Sequence, residues 1–239
     1  MSQNAVLIGG PRAVRQATAL RLARRNLAVI LCGADARALD AEVEMLKRAG
    51  CSAVGLRADP DDLDGITERL EKCDGIAALV VGPADGASAF DPAFLPSYIA
   101  RTEAVAGVMA ARGGGRIVHL VSNAGRYRSA YFTVSERSCI DQATTEGAIL
   151  AAMRQSALEL APRRIRVNAV VAGLIEEASG QDLWEAANAD DRDLILQEIS
   201  VGRRGRPDEV AAVIEFLASD ASSYITGAAI DVNGGWWMS

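Results

Sequence analysis

Ala5-Val6-Leu7-Ile8-Gly9-Gly10-Pro11-Arg12 opens the stretch that decides the fold. Four apolar residues make a short strand-like run, and the glycine pair with proline turns the chain. Residues 13–25 then place Val14, Ala17, Leu20, Leu22 and Ala23 at helical spacing. A second apolar run follows at 27–32, and Asp35 stands where a helix cap belongs, ahead of helical spacing through Leu39, Val43, Met45 and Leu46 to Gly50. Strand, helix and strand in immediate succession form a βαβ unit, in which the crossover helix returns the chain to the same edge and makes the strands parallel.

The alternation continues to the end of the chain. Residues 52–56, 76–81, 116–121, 165–171 and 228–232 read as strands. Residues 63–71, 94–111, a long run ending at Ala161, a polar-faced insertion at 181–199 and residues 207–219 read as helices, the last with Pro207 in its first turn. This pattern predicts one α/β domain over residues 1–239, a Rossmann-like doubly wound parallel sheet with helices on both faces.

Composition agrees with that class and excludes others. Half of the 239 residues are hydrophobic and only 5% aromatic, a mix suited to helices packed closely on a sheet. The 31 acidic and 25 basic residues are spread without long runs and leave a net charge of −6, so no nucleic-acid partner is expected. The four cysteines lack C-x-x-C spacing and the lone His119 has no metal-ligand companion nearby, so the thiols read as reduced and partly buried, and no metal is expected. No segment reaches the ~18 apolar residues of a membrane span, and the N-terminus carries no charged leader, which points to a cytoplasmic protein without a membrane partner.

The last third of the sequence is more specific. Ala157-Leu158-Glu159-Leu160-Ala161-Pro162, Ile165-Arg166-Val167-Asn168-Ala169-Val170, Gly205-Arg206-Pro207-Asp208-Glu209-Val210-Ala211, Phe216-Leu217-Ala218-Ser219-Asp220, Tyr224-Ile225-Thr226-Gly227 and Asp231-Val232-Asn233-Gly234-Gly235-Trp236 occur in that order. Together they resemble the short-chain dehydrogenase/reductase family in its acyl-carrier and acyl-CoA ketoreductase branch. The likeness covers nearly the whole chain and is weakest between Gly82 and Ala100.

The resemblance implies a nicotinamide cofactor and a serine, tyrosine and lysine for proton transfer, and this chain departs from that set almost everywhere. In the family's first turn three glycines let the backbone approach the cofactor pyrophosphate at a helix N-terminus. Gly9 matches the first, while Ala13 and Arg15 stand at the others; Arg15 offers an alternative phosphate contact. Asp35, beside Ala34, is better used as a helix cap than as a ribose ligand. Asp59 resembles the family's adenine-contacting aspartate but precedes Pro60, which has no N–H to donate. Val81-Gly82-Pro83-Ala84 replaces the family's asparagine-alanine-glycine motif. Ser122 resembles the catalytic serine, yet Gln142 falls at the tyrosine and Glu146 at the lysine. Glutamine cannot exchange a proton near neutral pH, and glutamate has the charge opposite to the ammonium that lowers the tyrosine pKa. Glu177 falls at a cofactor-contacting threonine; a carboxylate about 6 Å from a phosphate, at an effective dielectric near 20, costs about 2–3 kcal/mol, roughly a hundredfold in affinity.

The resulting expectation is a degenerate family member with no catalytic residues and no cofactor-binding residues of its own, Ser122, Gln142, Glu146, Gly9, Ala13, Arg15, Asp59 and Glu177 being vestigial positions. Its implied role is that of a silent subunit in a heterotetramer with an active short-chain dehydrogenase paralogue that carries NAD or NADP. The pattern resembles the inactive subunit of heteromeric dehydrogenases such as the one acting on 2-(hydroxybenzyl)succinyl-CoA in anaerobic toluene degradation. Ala148, Leu150, Ala151, Met153 and Ala157 on the long helix, and the Trp236-Trp237-Met238 tail, are the expected subunit surfaces. The alternative is an active but atypical reductase, or a cofactor-free catalyst like the halohydrin dehalogenases, using Ser122 with Tyr127 or Tyr131 and with Arg126 or Arg128 beside the phenol. A dinucleotide-sensing regulator is disfavoured by Glu146 and Glu177. His119 reads as a satisfied structural histidine.

Overall fold

Continuous apolar runs, rather than alternating ones, are what a sheet covered on both faces requires, and the strands here are of that kind: all six residues of β4 (Ile76–Val81) are buried. With it lie β1 (Gln3–Ile8), β2 (Leu27–Gly33), β3 (Ala53–Arg57), β5 (Gly115–Ser122), β6 (Ile165–Ala172) and β7 (Ala229–Val232) in one sheet, ordered β3-β2-β1-β4-β5-β6-β7. Every pairing is parallel. The computed structural model describes residues 3–58, 62–83, 94–123, 136–176, 184 and 187–238, with the backbone alone over 136–142.

Side chains on a strand alternate between faces, and each face builds its own core. Val6 and Ile8 of β1 join Leu79, Ile117 and Val167 beneath α3 (Leu63–Glu71), α4 (Phe94–Ala111) and α5 (Glu136–Leu160). Ala5 and Leu7 join Val29, Val80 and Val170 beneath α1 (Arg12–Arg24), α2 (Ala36–Arg48) and α7 (Pro207–Leu217). The doubly wound arrangement is therefore as the βαβ pattern predicts. Asp35 caps α2, accepting from the N–H groups of Arg37 at 2.9 Å and Ala38 at 3.1 Å.

α1 and α7 are neighbours on one face and are tied by charge. The Arg21 guanidinium donates to both carboxylate oxygens of Asp208 at 2.7 Å and to Glu215 at 2.9 Å, and Arg25 reaches Glu215 at 2.7 Å.

Two sequence expectations change. The insertion expected to be helical over 181–199 is, within the described residues that follow 187, the shorter α6 (Ala189–Glu198), which begins because Asn188 accepts the Asp191 N–H at 2.9 Å. On α5, Leu150, Met153 and Ala157 are buried in the chain's own core and do not form an outward surface. Ala151 and Leu158 face outward, and Leu158 is 73% exposed. Trp236 likewise lies in a small core with Ile195 and Ile199, its indole N–H donating to Glu198 at 2.9 Å; Met238 is exposed. Among the described residues, Cys32, Cys51 and Cys73 are free thiols. Also among them, no group of three potential ligands could hold a metal, and no helix is long and apolar enough to cross a membrane.

Candidate functional site

In an open parallel sheet, ligands bind beyond the carboxyl ends of the strands where the strand order reverses, here between β1 and β4. At that point the chain closes on itself. Gly10 donates its N–H to the Pro83 carbonyl at 2.6 Å, and Gly82 donates to Ile8 at 3.0 Å. A Cβ on Gly9, whose φ is 65°, would stand 2.2 Å from the Gly82 oxygen. The glycine pair thus serves close approach of two backbones as well as a tight turn.

Arg15 lies over the same turn. Its Nε and Nη2 donate to the two oxygens of Glu42 at 3.0 and 2.7 Å, and its Nη1 to the carbonyls of Gly9 and Gly10 at 3.3 and 3.1 Å. The Glu42 side chain is only 3% exposed. Arg15 is therefore held by a buried carboxylate in a fork-to-fork pair. Ala13, half-buried, follows the first residue of α1, whose N-terminus has no side-chain cap.

On the other side of the crevice, Ser122 ends β5. Glu146 sits on α5 one turn before Ile149 and Leu150, which point into the core, so its side chain shares their face and is turned toward the sheet. Its Oε2 accepts the Ser122 N–H at 2.7 Å and the Ser122 hydroxyl at 2.6 Å, and Glu146 is buried to 5% exposure. The serine hydroxyl that would have to donate to a substrate carbonyl donates instead to the residue standing at the lysine position. Gln142 falls one turn earlier on the α5 backbone; its side chain, and Asp59, Pro60, Arg126, Tyr127, Arg128, Tyr131 and Glu177, lie outside the described residues.

Beneath Ser122 is a buried polar pair absent from the sequence reading. The Tyr98 hydroxyl lies 3.1 Å from the Val81 carbonyl and 2.8 Å from His119 Nδ1. Both contacts are satisfied only if the phenol donates to the carbonyl and His119 donates from a protonated Nδ1. His119 Nε2 is then a bare lone pair with no donor among the described residues. The expectation of a satisfied histidine is met at Nδ1 and not at Nε2. Burial pushes the His119 pKa down to about 4. Burial also raises the Tyr98 pKa far above its usual value, with Arg101 opposing and Glu146 reinforcing the shift. A phenol so placed does not exchange its proton near neutral pH.

Glu176 donates its N–H to Gly205 at 2.8 Å, and the Trp184 ring has Arg204 at 4.7 Å and Arg192 at 5.4 Å from its centroid. These cation–π contacts tie Trp184 to the chain at Arg192 and Arg204.

Residues 93–237 match the enoyl-(acyl carrier protein) reductase family. The chain is 31% identical over 251 residues to a 3-oxoacyl-(acyl-carrier-protein) reductase of Pseudomonas aeruginosa, covering 98% of this chain and 97% of that protein. It is 30% identical to the short-chain reductase protein NovJ of Streptomyces niveus, over 97% of this chain and 92% of that one. Among solved structures, a short-chain type dehydrogenase/reductase from Mycobacterium marinum superimposes with a TM-score of 0.82 at 26% identity, covering all of this chain and 97% of that one.

Proposed function

The chain belongs to the short-chain dehydrogenase/reductase family, and from that premise we propose that it is a non-catalytic subunit of a heteromeric dehydrogenase. The observation that carries this reading is the Ser122 hydroxyl held at 2.6 Å by Glu146. A carboxylate at the lysine position neither lowers a phenol pKa nor attracts a nicotinamide ribose, and here it also occupies the serine. The Arg15–Glu42 pair does the equivalent on the cofactor side. The residues present fit a dinucleotide poorly, so NAD or NADP belongs to the partner, an active paralogue in a heterotetramer. The substrate class is a hydroxyacyl-CoA, 2-(hydroxybenzyl)succinyl-CoA being one candidate, oxidised in the cytoplasm. Exposed Leu158, Ala151 and Met238 are available for subunit contact. Calorimetric titration with NADH and NADPH is expected to give no binding to the purified chain, and native mass measurement of the untagged complex is expected to give two different subunits. A homotetramer that binds either dinucleotide tightly overturns the proposal.

A second reading is favoured by the full-length likeness to a 3-oxoacyl-(acyl-carrier-protein) reductase: an active reductase in which Ser122 works with Tyr127 or Tyr131. It predicts NADPH-dependent turnover by the isolated chain, lost about a hundredfold or more in Ser122→Ala and in one of the two Tyr→Phe variants.

A further inference from the structure

The opposite end of the sheet, where the strands begin, holds a cavity of about 460 Å3. That volume is within the range of small-molecule sites. Arg112, Arg116, Arg164 and Arg166 line it, and no aspartate or glutamate does. In a chain of net charge −6 this is a local excess of the minority sign.

The cluster is built by backbone geometry. Arg116 and Arg166 are register partners on β5 and β6, so their side chains leave neighbouring strands on the same face. Gly114, at φ 114°, lets the turn between α4 and β5 lie directly on Arg164; a Cβ there would stand 2.2 Å from the Arg164 carbonyl oxygen. Arg164 itself has φ 61° and ψ 31°, a left-handed conformation that glycine or asparagine adopts more cheaply.

The four guanidinium groups differ in what they already hold. Arg166 is anchored by Ser222 Oγ at 3.0 Å and by the carbonyls of Ile225, Ser219 and Leu217 at 3.1, 2.9 and 3.4 Å. Arg112 donates to the carbonyls of Cys73 and Glu71. Arg116 pairs with Asp220, whose side chain is 89% exposed, so that charge is screened by solvent. The Arg164 backbone bonds to Ala161 and Gly115, while its side chain makes no hydrogen bond or ion pair to any described residue. Burial and then the neighbouring Arg116 lower the Arg166 pKa, with Asp220 opposing the shift.

We propose that this cavity binds a small phosphorylated anion, gripped by Arg164 and Arg116 while Arg112 and Arg166 form a fixed positive wall. Guanidinium forks match the tetrahedral oxygens of a phosphoryl group in geometry and charge. The site lies on the far edge of the sheet from Ser122 and does not depend on whether the chain is silent.

The test is calorimetry of the full chain with inorganic pyrophosphate at low ionic strength. Binding of one equivalent is expected, weakened about tenfold or more by Arg164→Gln and by Arg116→Gln and weakened again by 0.5 M salt. Arg12→Gln, at the opposite edge, is expected to leave it unchanged. Because the Arg164 guanidinium makes no hydrogen bond or ion pair to a described residue and glutamine keeps the backbone contacts, Arg164→Gln should melt with the parent, which keeps the test valid if Arg116→Gln folds poorly. ADP binding as pyrophosphate does indicates that the phosphoryl group alone is read, and ADP binding more tightly indicates a nucleotide. No binding at millimolar pyrophosphate, binding insensitive to Arg164→Gln, or loss in Arg12→Gln overturns the proposal. So does tight binding of a short DNA duplex with which pyrophosphate does not compete.

Discussion

The two ends of the parallel sheet treat charge in opposite ways. At the carboxyl end, polar groups are engaged inside the chain: Arg15 by Glu42, the Ser122 hydroxyl by Glu146, the Gly10 N–H by Pro83. At the amino end, four arginines stand around a cavity, and the Arg164 guanidinium has no hydrogen-bond or ion-pair partner among the described residues. A binding site requires unmet valence at the point where the ligand arrives. By that criterion the amino end, on its described residues, offers the more open guanidinium groups, and the polar groups named at the carboxyl end are partnered within the chain.

The contrast can be broken in order of expected effect. Glu42→Ala leaves the Arg15 guanidinium, 17% exposed, without its carboxylate; urea unfolding should show a loss of about 3–4 kcal/mol, with Glu42→Gln losing less. The next effect is one of pH. His119 titrates near 6.5 when unfolded and near 4 when folded. Between those values the unfolded chain binds more protons, so stability rises with pH across the window and is lost as pH falls through it. The full loss is about 3 kcal/mol by pH 4, and a urea series in His119→Gln should lack that slope. Glu146→Ala removes the acceptor of two Ser122 donors and should cost about 2 kcal/mol. It should yield no activity in the isolated chain, since freeing the serine restores neither tyrosine nor lysine. Last, Arg164→Gln should change stability by less than about 0.5 kcal/mol while reducing pyrophosphate binding. A large destabilisation there would make the amino end a structural cluster and erase the contrast.

What could be read from sequence divides along the same physical line. Local signals were sufficient for the frame. The unbroken apolar run of β4 and the helical spacing of α3 predict both elements with their observed bounds, and Asp35 is recognisable as a cap because its partners are two and three residues away. Counting along the family pattern places Glu146 at the lysine. It does not show that the carboxylate turns back to Ser122, because that contact spans 24 residues and depends on how α5 lies against β5. Glu42 stands on the buried stripe of its helix, three residues after Leu39 and four before Leu46, but spacing does not name its partner, and only the fold sets it beside Arg15, 27 residues away. The outward surface assigned to Leu150, Met153 and Ala157 fails for a related reason. Spacing identifies an apolar stripe but not which neighbour covers it, and here the chain's own sheet does. The arginine cavity is assembled from turns at 112–116 and 164–166 that share no motif.

The pairing of α1 with α7 has a consequence for how the protein is made. Arg21 and Arg25 find their acidic partners 187 to 194 residues further along the chain, and the apolar face of α1 is covered by the same late helix. At a translation rate of ~5–20 residues per second, the first βαβ unit waits roughly ten to forty seconds on the ribosome before that cover is synthesised. During this interval Val14 and Leu22 are the surface a chaperone would recognise. A chain stopped before Pro207 would never lose it.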